Sequence, residues 1–213
     1  MINPTIDELQ NDEKYEKLAE LSHNQIKEFV INQLSQPSRM ITGYMLYQVM
    51  MIITGLFFFA RAVIFALRGI FDPLYYTLAA LVFTFTFLIF FHEMLHGLAL
   101  KITGAKKLSF GAYWKKFIFY AEADRHVLNR NQFKLVALTP LVVVKSLTAI
   151  GILLFFAHPV FYFFIFVMSA HSLFCAGDIG LLSIFYRYKN EAIFTFDVKA
   201  EKRSYFFKRV SDH

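Results

Sequence analysis

The chain has one cysteine, Cys175, so no intrachain disulfide can form and no cysteine-rich zinc site can be assembled. Any bound metal has to rely on histidine and carboxylate. Charge is also scarce, at 18% of 213 residues, and long stretches carry none. The first residues are polar and acidic with no apolar h-region, so a cleaved signal peptide is not expected. There is no internal repeat that would read as the paired halves of a transporter, and no low-complexity segment. The net charge of +6 comes from basic residues that flank apolar runs. They do not gather into a recognition helix or a stacking platform, so the charge points to membrane topology and away from nucleic acid.

Apolar residues dominate instead. They make up 57% of the sequence, 27 of them Phe, and the mean hydropathy is +0.46. The apolar runs reach the roughly 20 residues needed to cross a hydrocarbon core about 30 Å thick. Four spans are predicted: residues 40–67, 75–100, 133–157 and 159–186. Arg61 and Arg68 sit where they can snorkel to the interface, Pro140 is expected to kink the third span, and Lys145 is embedded in it. Residues 5–35, with Leu18, Leu21, Phe29 and Val30 among their apolar positions, are expected to form an amphipathic helix outside the bilayer core. Between the second and third spans, Leu108, Phe110, Ala112 and Trp114 alternate with Ser109, Gly111 and Tyr113; Lys115 and Lys116 then precede a second short run, 117–121. That period of two predicts a β-hairpin at the membrane surface. One more strand-like run, 193–198, lies in the charged tail.

The expected fold is therefore an all-α membrane protein of about four transmembrane helices with a small cytoplasmic β-hairpin and an N-terminal amphipathic helix. Its organisation is a cytoplasmic amphipathic N-terminal segment at 1–39, a multi-pass transmembrane domain at 40–186 and a cytoplasmic tail at 187–213. Four spans put both termini and the second loop on one side. Those segments hold 4, 8 and 7 of the 22 Lys and Arg residues, with Lys101 and Lys134 counted in the loop. The positive-inside rule then makes all three cytoplasmic, in the cell membrane.

His92-Glu93-Met94-Leu95-His96 is an HExxH pattern on a predicted helix, where positions i and i+4 share a face and two imidazoles can bind one Zn²⁺. Glu93 beside them can accept a proton from the attacking water and return it to the leaving amine. A Glu and two His inside a span cost several kcal/mol, so such groups are read as functional; the alternative is a helix end reaching the headgroups. Catalytic zinc takes a third protein ligand. Asp178 is the other acidic residue deep in a predicted span. His92 lies nine residues before Lys101 and Asp178 nine before Arg187, which sets both about 13 Å inside the same boundary. Asp178 can be that ligand, or a structural carboxylate paired with Lys145. His171, two turns before Asp178, can donate to a developing oxyanion or to Asp178; it can equally be a histidine satisfied by another helix. Cys175 reads as a small buried apolar residue.

FHEMLHGLALKITG, the loop segment KLSFGAYW, the LTPL of the next span and HSLFCAGDIG together resemble the bacterial zincin-peptidase family first catalogued as a domain of unknown function, itself similar to the site-2 proteases. The likeness covers roughly residues 75–200, and HEMLHG and GDIG are its most specific parts. It implies His92 and His96 as zinc ligands, Glu93 as catalytic carboxylate and Asp178 as third ligand. The better-known site-2 proteases carry an Asn-Pro-Asp-Gly type segment where this chain has Ala176-Gly177-Asp178-Ile179, so the asparagine that would help the oxyanion has no counterpart.

Two functions compete. The first is a zinc metalloendopeptidase cleaving a membrane-spanning or membrane-proximal peptide, held by strand addition to the hairpin. The second is a non-catalytic membrane protein that keeps a structural metal site and binds a partner. Glu93 favours the first, because binding zinc does not require it. A di-iron oxygenase would need several His boxes, and one is present.

Overall fold

Long runs of Phe, Leu, Ile and Val must satisfy their own backbone hydrogen bonds in an apolar setting, and the α-helix does so within one segment. The computed structural model describes residues 3–11, 13–22, 24–113 and 118–210, and these are mostly helical. The helices are α1 (Ile6–Leu9), α2 (Ile26–Leu34), α3 (Arg39–Leu67), α4 (Asp72–Phe85), α5 (Phe87–Ile102), α6 (Arg130–Leu154), α7 (Phe161–Phe174) and α8 (Ala176–Arg187). The strands are β1 (Tyr15–Ser22), β2 (Leu108–Tyr113), β3 (Ile118–Ala123), β4 (Leu128–Asn129), β5 (Ile193–Val198) and β6 (Arg203–Arg209). Two units result: Met1–Ile41, Glu93–Leu138 and Gly177–His213 form one, and Thr42–His92 and Thr139–Ala176 the other.

The second unit is helical. Among the described residues, α3 and α6 are long and apolar enough to cross a membrane alone. Only 11% of the most apolar stretch of α3 is buried, and Leu46, Val49, Ile53, Leu56 and Phe57 face outward. An unburied apolar surface of this extent suggests a membrane protein. Two helix pairs qualify only if taken together: α4 with α5, bent by 46°, and α7 with α8, bent by 47°. The count of spans is thus two, or up to four if each bent pair is one. The first break falls at Thr86, whose backbone leaves helical angles (φ −120°, ψ −84°) while its hydroxyl donates to the Val82 carbonyl. A Thr back-bonded in this way bends helices. The second break falls at Cys175. Inside the unit, Ala62, Phe161, Tyr162 and Ile165 form the buried centre. At Gly55 an added Cβ would lie 3.0 Å from Ser169 Cβ, so the missing side chain lets α3 approach α7 closely.

The first unit carries the sheets. β1, β6, β5 and β4 form one antiparallel sheet in that order, and β2 and β3 a separate two-stranded one. Leu21, Leu182, Phe185, Ile193 and Phe206 pack between the larger sheet and α8, with Phe133 stacked on Phe185 at 4.7 Å. Fully burying Phe185 and Phe206 stabilises by roughly 1.5–3 kcal/mol each. Leu9, Phe196, Val198 and Phe207 make a further buried cluster with α1.

The hairpin expected from the alternating residues is present as β2 paired with β3, and the tail strand is β5. Trp114, Lys115, Lys116 and Phe117 lie outside the described residues. Two expectations need correction. The chain is mostly helical instead of all-α. The single N-terminal helix over residues 5–35 is replaced by α1, β1 and α2. Residues 15–22 (YEKLAELS) are good helix formers, but they pair with β6, bringing Glu16 to Lys208 at 2.9 Å and Glu20 to Arg203 while burying Leu21. Helix propensities differ by at most about 0.7 kcal/mol per residue among ordinary residues, so tertiary pairing decides. Pro140 lies within one continuous helix, α6, and the breaks between consecutive helices fall at Thr86 and Cys175.

Candidate metal centre

α5 carries the HExxH residues on one unbroken helix, so His92 and His96 are one turn apart on the same face. Both are buried, at 5% and 8% exposure, and Glu93 beside His92 is half-buried. At Gly97 an added Cβ would lie 2.6 Å from the Phe110 ring tip, so this glycine lets β2 lie directly on the helix next to His96.

In the first unit, His96 is held from both ring nitrogens. Nδ1 is 3.0 Å from the main-chain carbonyl oxygen of Val136, and Nε2 is 3.2 Å from Asp178 Oδ1. A carbonyl only accepts, so Nδ1 carries a proton; Nε2 facing Asp178 either carries a second proton shared with the carboxylate or, with a metal between them, gives its lone pair to the ion. Asp178 sits in the first turn of α8, where the helix dipole favours a carboxylate. α2 braces α8 from behind. Val30 Cγ1 lies 2.8 Å from where a Cβ on Gly180 would be, and Gln33 accepts hydrogen bonds from Ser183 and Arg187.

In the second unit, His92 Nδ1 is 3.0 Å from His171 Nε2, and both side chains are buried. Cys175 Sγ is 3.8 Å from His171 Nδ1 and its thiol donates toward the His171 carbonyl at 3.5 Å. His92, His171 and Cys175 thus offer three donor atoms within 4.8 Å of one another. A single arrangement of protons makes both polar contacts hydrogen bonds and keeps His92 Nε2 deprotonated: His92 Nδ1–H donates to His171 Nε2, and His171 Nδ1–H points to sulfur.

The residues present fit zinc. Imidazole nitrogen and carboxylate oxygen are zinc donors, and two donors on one tetrahedral ion, each about 2.0–2.1 Å from it, stand about 3.3 Å apart. The 3.2 Å between His96 Nε2 and Asp178 Oδ1 matches that spacing. Asp178 thus faces His96, while Lys145 donates to the Met168 carbonyl, approaches Met51 Sδ at 3.3 Å and lies 5.0 Å from the Tyr47 ring centre. Arg61 lies over Phe65. Val136 was not legible beforehand, because its contact is made by the main chain and the side-chain type carries no signal for it. Cys175, four residues after His171 at the end of α7, is fully buried, as expected of a small apolar residue.

The model of the family described as Putative zincin peptidase matches residues 85–193, a little over half of the chain and a stretch that holds all five candidate site residues. No curated protein matches the chain, and no solved structure does.

Proposed function

The chain belongs to the Putative zincin peptidase family, which implies a zinc metallopeptidase, and from that premise we propose that it cleaves peptide bonds within or next to the membrane, in the manner of a site-2 protease. His92, His96 and Asp178 would hold Zn²⁺, which when bound lowers the pKa of water toward about 7 and polarises a carbonyl. Glu93, one residue after the first ligand, takes the proton of the attacking water and passes it to the leaving amine. His171 acts behind His92, fixing its tautomer, in place of the oxyanion donor considered above. The observation that carries this reading is the placement of His96 on the HExxH helix, with Nδ1 3.0 Å from the Val136 carbonyl and Nε2 3.2 Å from the Asp178 carboxylate.

The substrate is a membrane-spanning or membrane-associated peptide. In a two-stranded sheet each strand has one edge outside the ladder, and β2 lies on α5 beside His96. An unwound substrate segment could add to that edge. Both termini and the loop after α5 are cytoplasmic in this reading, from the distribution of basic residues.

The test uses the full chain in detergent with a panel of transmembrane peptides. Glu93→Gln should retain zinc and fold while hydrolysis falls by about 10²–10⁴-fold, because the ligands stay and the proton acceptor goes. Parent-like cleavage by that variant would remove Glu93 from the chemistry.

A further inference from the structure

α6 runs from Arg130 to Leu154 with Pro140 inside it, fully buried. Proline is the least favourable residue within a helix and has no N–H, so the carbonyl four residues earlier loses its helical partner. That carbonyl belongs to Val136. It is the same oxygen that lies 3.0 Å from His96 Nδ1. The Pro140 ring on α6 and the His96 imidazole on α5 thus both bear on the Val136 carbonyl oxygen.

We propose that Pro140 is a positioning residue for the metal centre: by withholding a backbone donor it reserves the Val136 carbonyl for His96, which keeps the proton on Nδ1 and turns Nε2 toward Asp178. An N–H at position 140 would share that oxygen and draw it toward the helix axis, away from the imidazole. His96 would then lose the contact that fixes its tautomer and ring orientation, and partners of this kind typically matter 10–100-fold to metal affinity. The unfavourable proline is thereby explained by what it leaves open. The inference rests on the zinc reading above.

The experiment measures zinc affinity of the full chain in detergent by competition with a chromophoric chelator, together with the thermal midpoint of the zinc-free protein. Pro140→Ala should bind zinc about 10–100-fold more weakly while its thermal midpoint stays equal or rises, since alanine favours the helix. A proline that only shapes the helix predicts the same or higher midpoint with unchanged zinc affinity, and that result overturns the proposal. A second variant replaces residue 140 by the α-hydroxy-acid analogue of alanine, which lacks the N–H and lacks the ring. It should bind zinc within about threefold of the parent, and affinity as low as that of Pro140→Ala overturns the proposal even if Pro140→Ala itself folds poorly. His96→Ala separates the two readings: parent-like zinc affinity in that variant would defeat the zinc assignment itself, whereas weak binding there with tight binding in Pro140→Ala defeats only the role of Pro140.

Discussion

Changing Asp178 probes the metal centre at the point where two distant parts of the chain meet. Its Oδ1 is 3.2 Å from His96 Nε2, and the two side chains are 19% and 10% exposed. Asp178→Asn keeps the shape and removes the charge. His96 as a zinc ligand is neutral, so the charge removed is one that would face the metal, and the loss is read on zinc affinity. Charge-assisted hydrogen bonds retain about 1.5–3 kcal/mol net, or roughly 10–150-fold, and this is the expected loss of zinc affinity for Asp178→Asn. Asp178→Ala deletes the donor altogether and should bind at least 100-fold more weakly, on the order of the upper end of that range. Competition with a chelator reads the affinity, and metal analysis of purified protein reads the stoichiometry. A carboxylate whose role is only to pair with Lys145 would give the opposite pattern: lower stability in Asp178→Asn, the same loss in Lys145→Ala, and normal zinc in both. Full zinc content and parent affinity in Asp178→Ala would refute the ligand set.

His171→Leu should weaken zinc binding by about 10-fold and His171→Gln, which keeps an acceptor near Nε2, should restore most of it; equal losses in both would reduce His171 to packing. Cys175→Ser should leave the zinc content of purified protein unchanged, because sulfur contacts His171 and not the proposed metal. Outside the spans, burial pushes the Asp197 carboxyl up to about 6, with the Ser204 hydroxyl opposing and Glu122 and Asp124 adding to it. The folded chain holds that proton more tightly than the unfolded one, so the contribution is complete below about pH 4 and is lost as pH rises through about 6, about 3 kcal/mol in all. Asp197→Asn should therefore raise the thermal midpoint at pH 7.5 and leave it nearly unchanged at pH 4. For topology, on a Cys175→Ser background, Lys107→Cys should react with an impermeant maleimide only after permeabilisation and Arg68→Cys in intact cells; labelling of position 107 from outside would reverse the orientation.

What could be read from the sequence was whatever is written locally. The ligand spacing of His92 and His96 is a property of one helix, and the alternation through Leu108 and Phe110 is a property of one strand, so both appear in the structure as expected. Asp178 was reachable because burying a carboxylate in a span is costly and its depth could be compared with that of His92. Partners distant in sequence were not legible. YEKLAELS has the composition of a helix and becomes β1 only because β6, nearly 190 residues later, offers a ladder and opposite charges. The breaks at Thr86 and Cys175 carry no proline or glycine to announce them. Pro140 carried a further signal, its position four residues after Val136, which has meaning only once His96 is known to lie beside that oxygen.

If the HExxH helix is a zinc centre, the zinc content of the purified full chain must differ from that of His92→Ala and His96→Ala purified in the same way. One zinc per parent chain and a sharp loss in each variant, with folding retained, is the predicted result. A parent without stoichiometric zinc, or either variant carrying as much zinc as the parent, would contradict it.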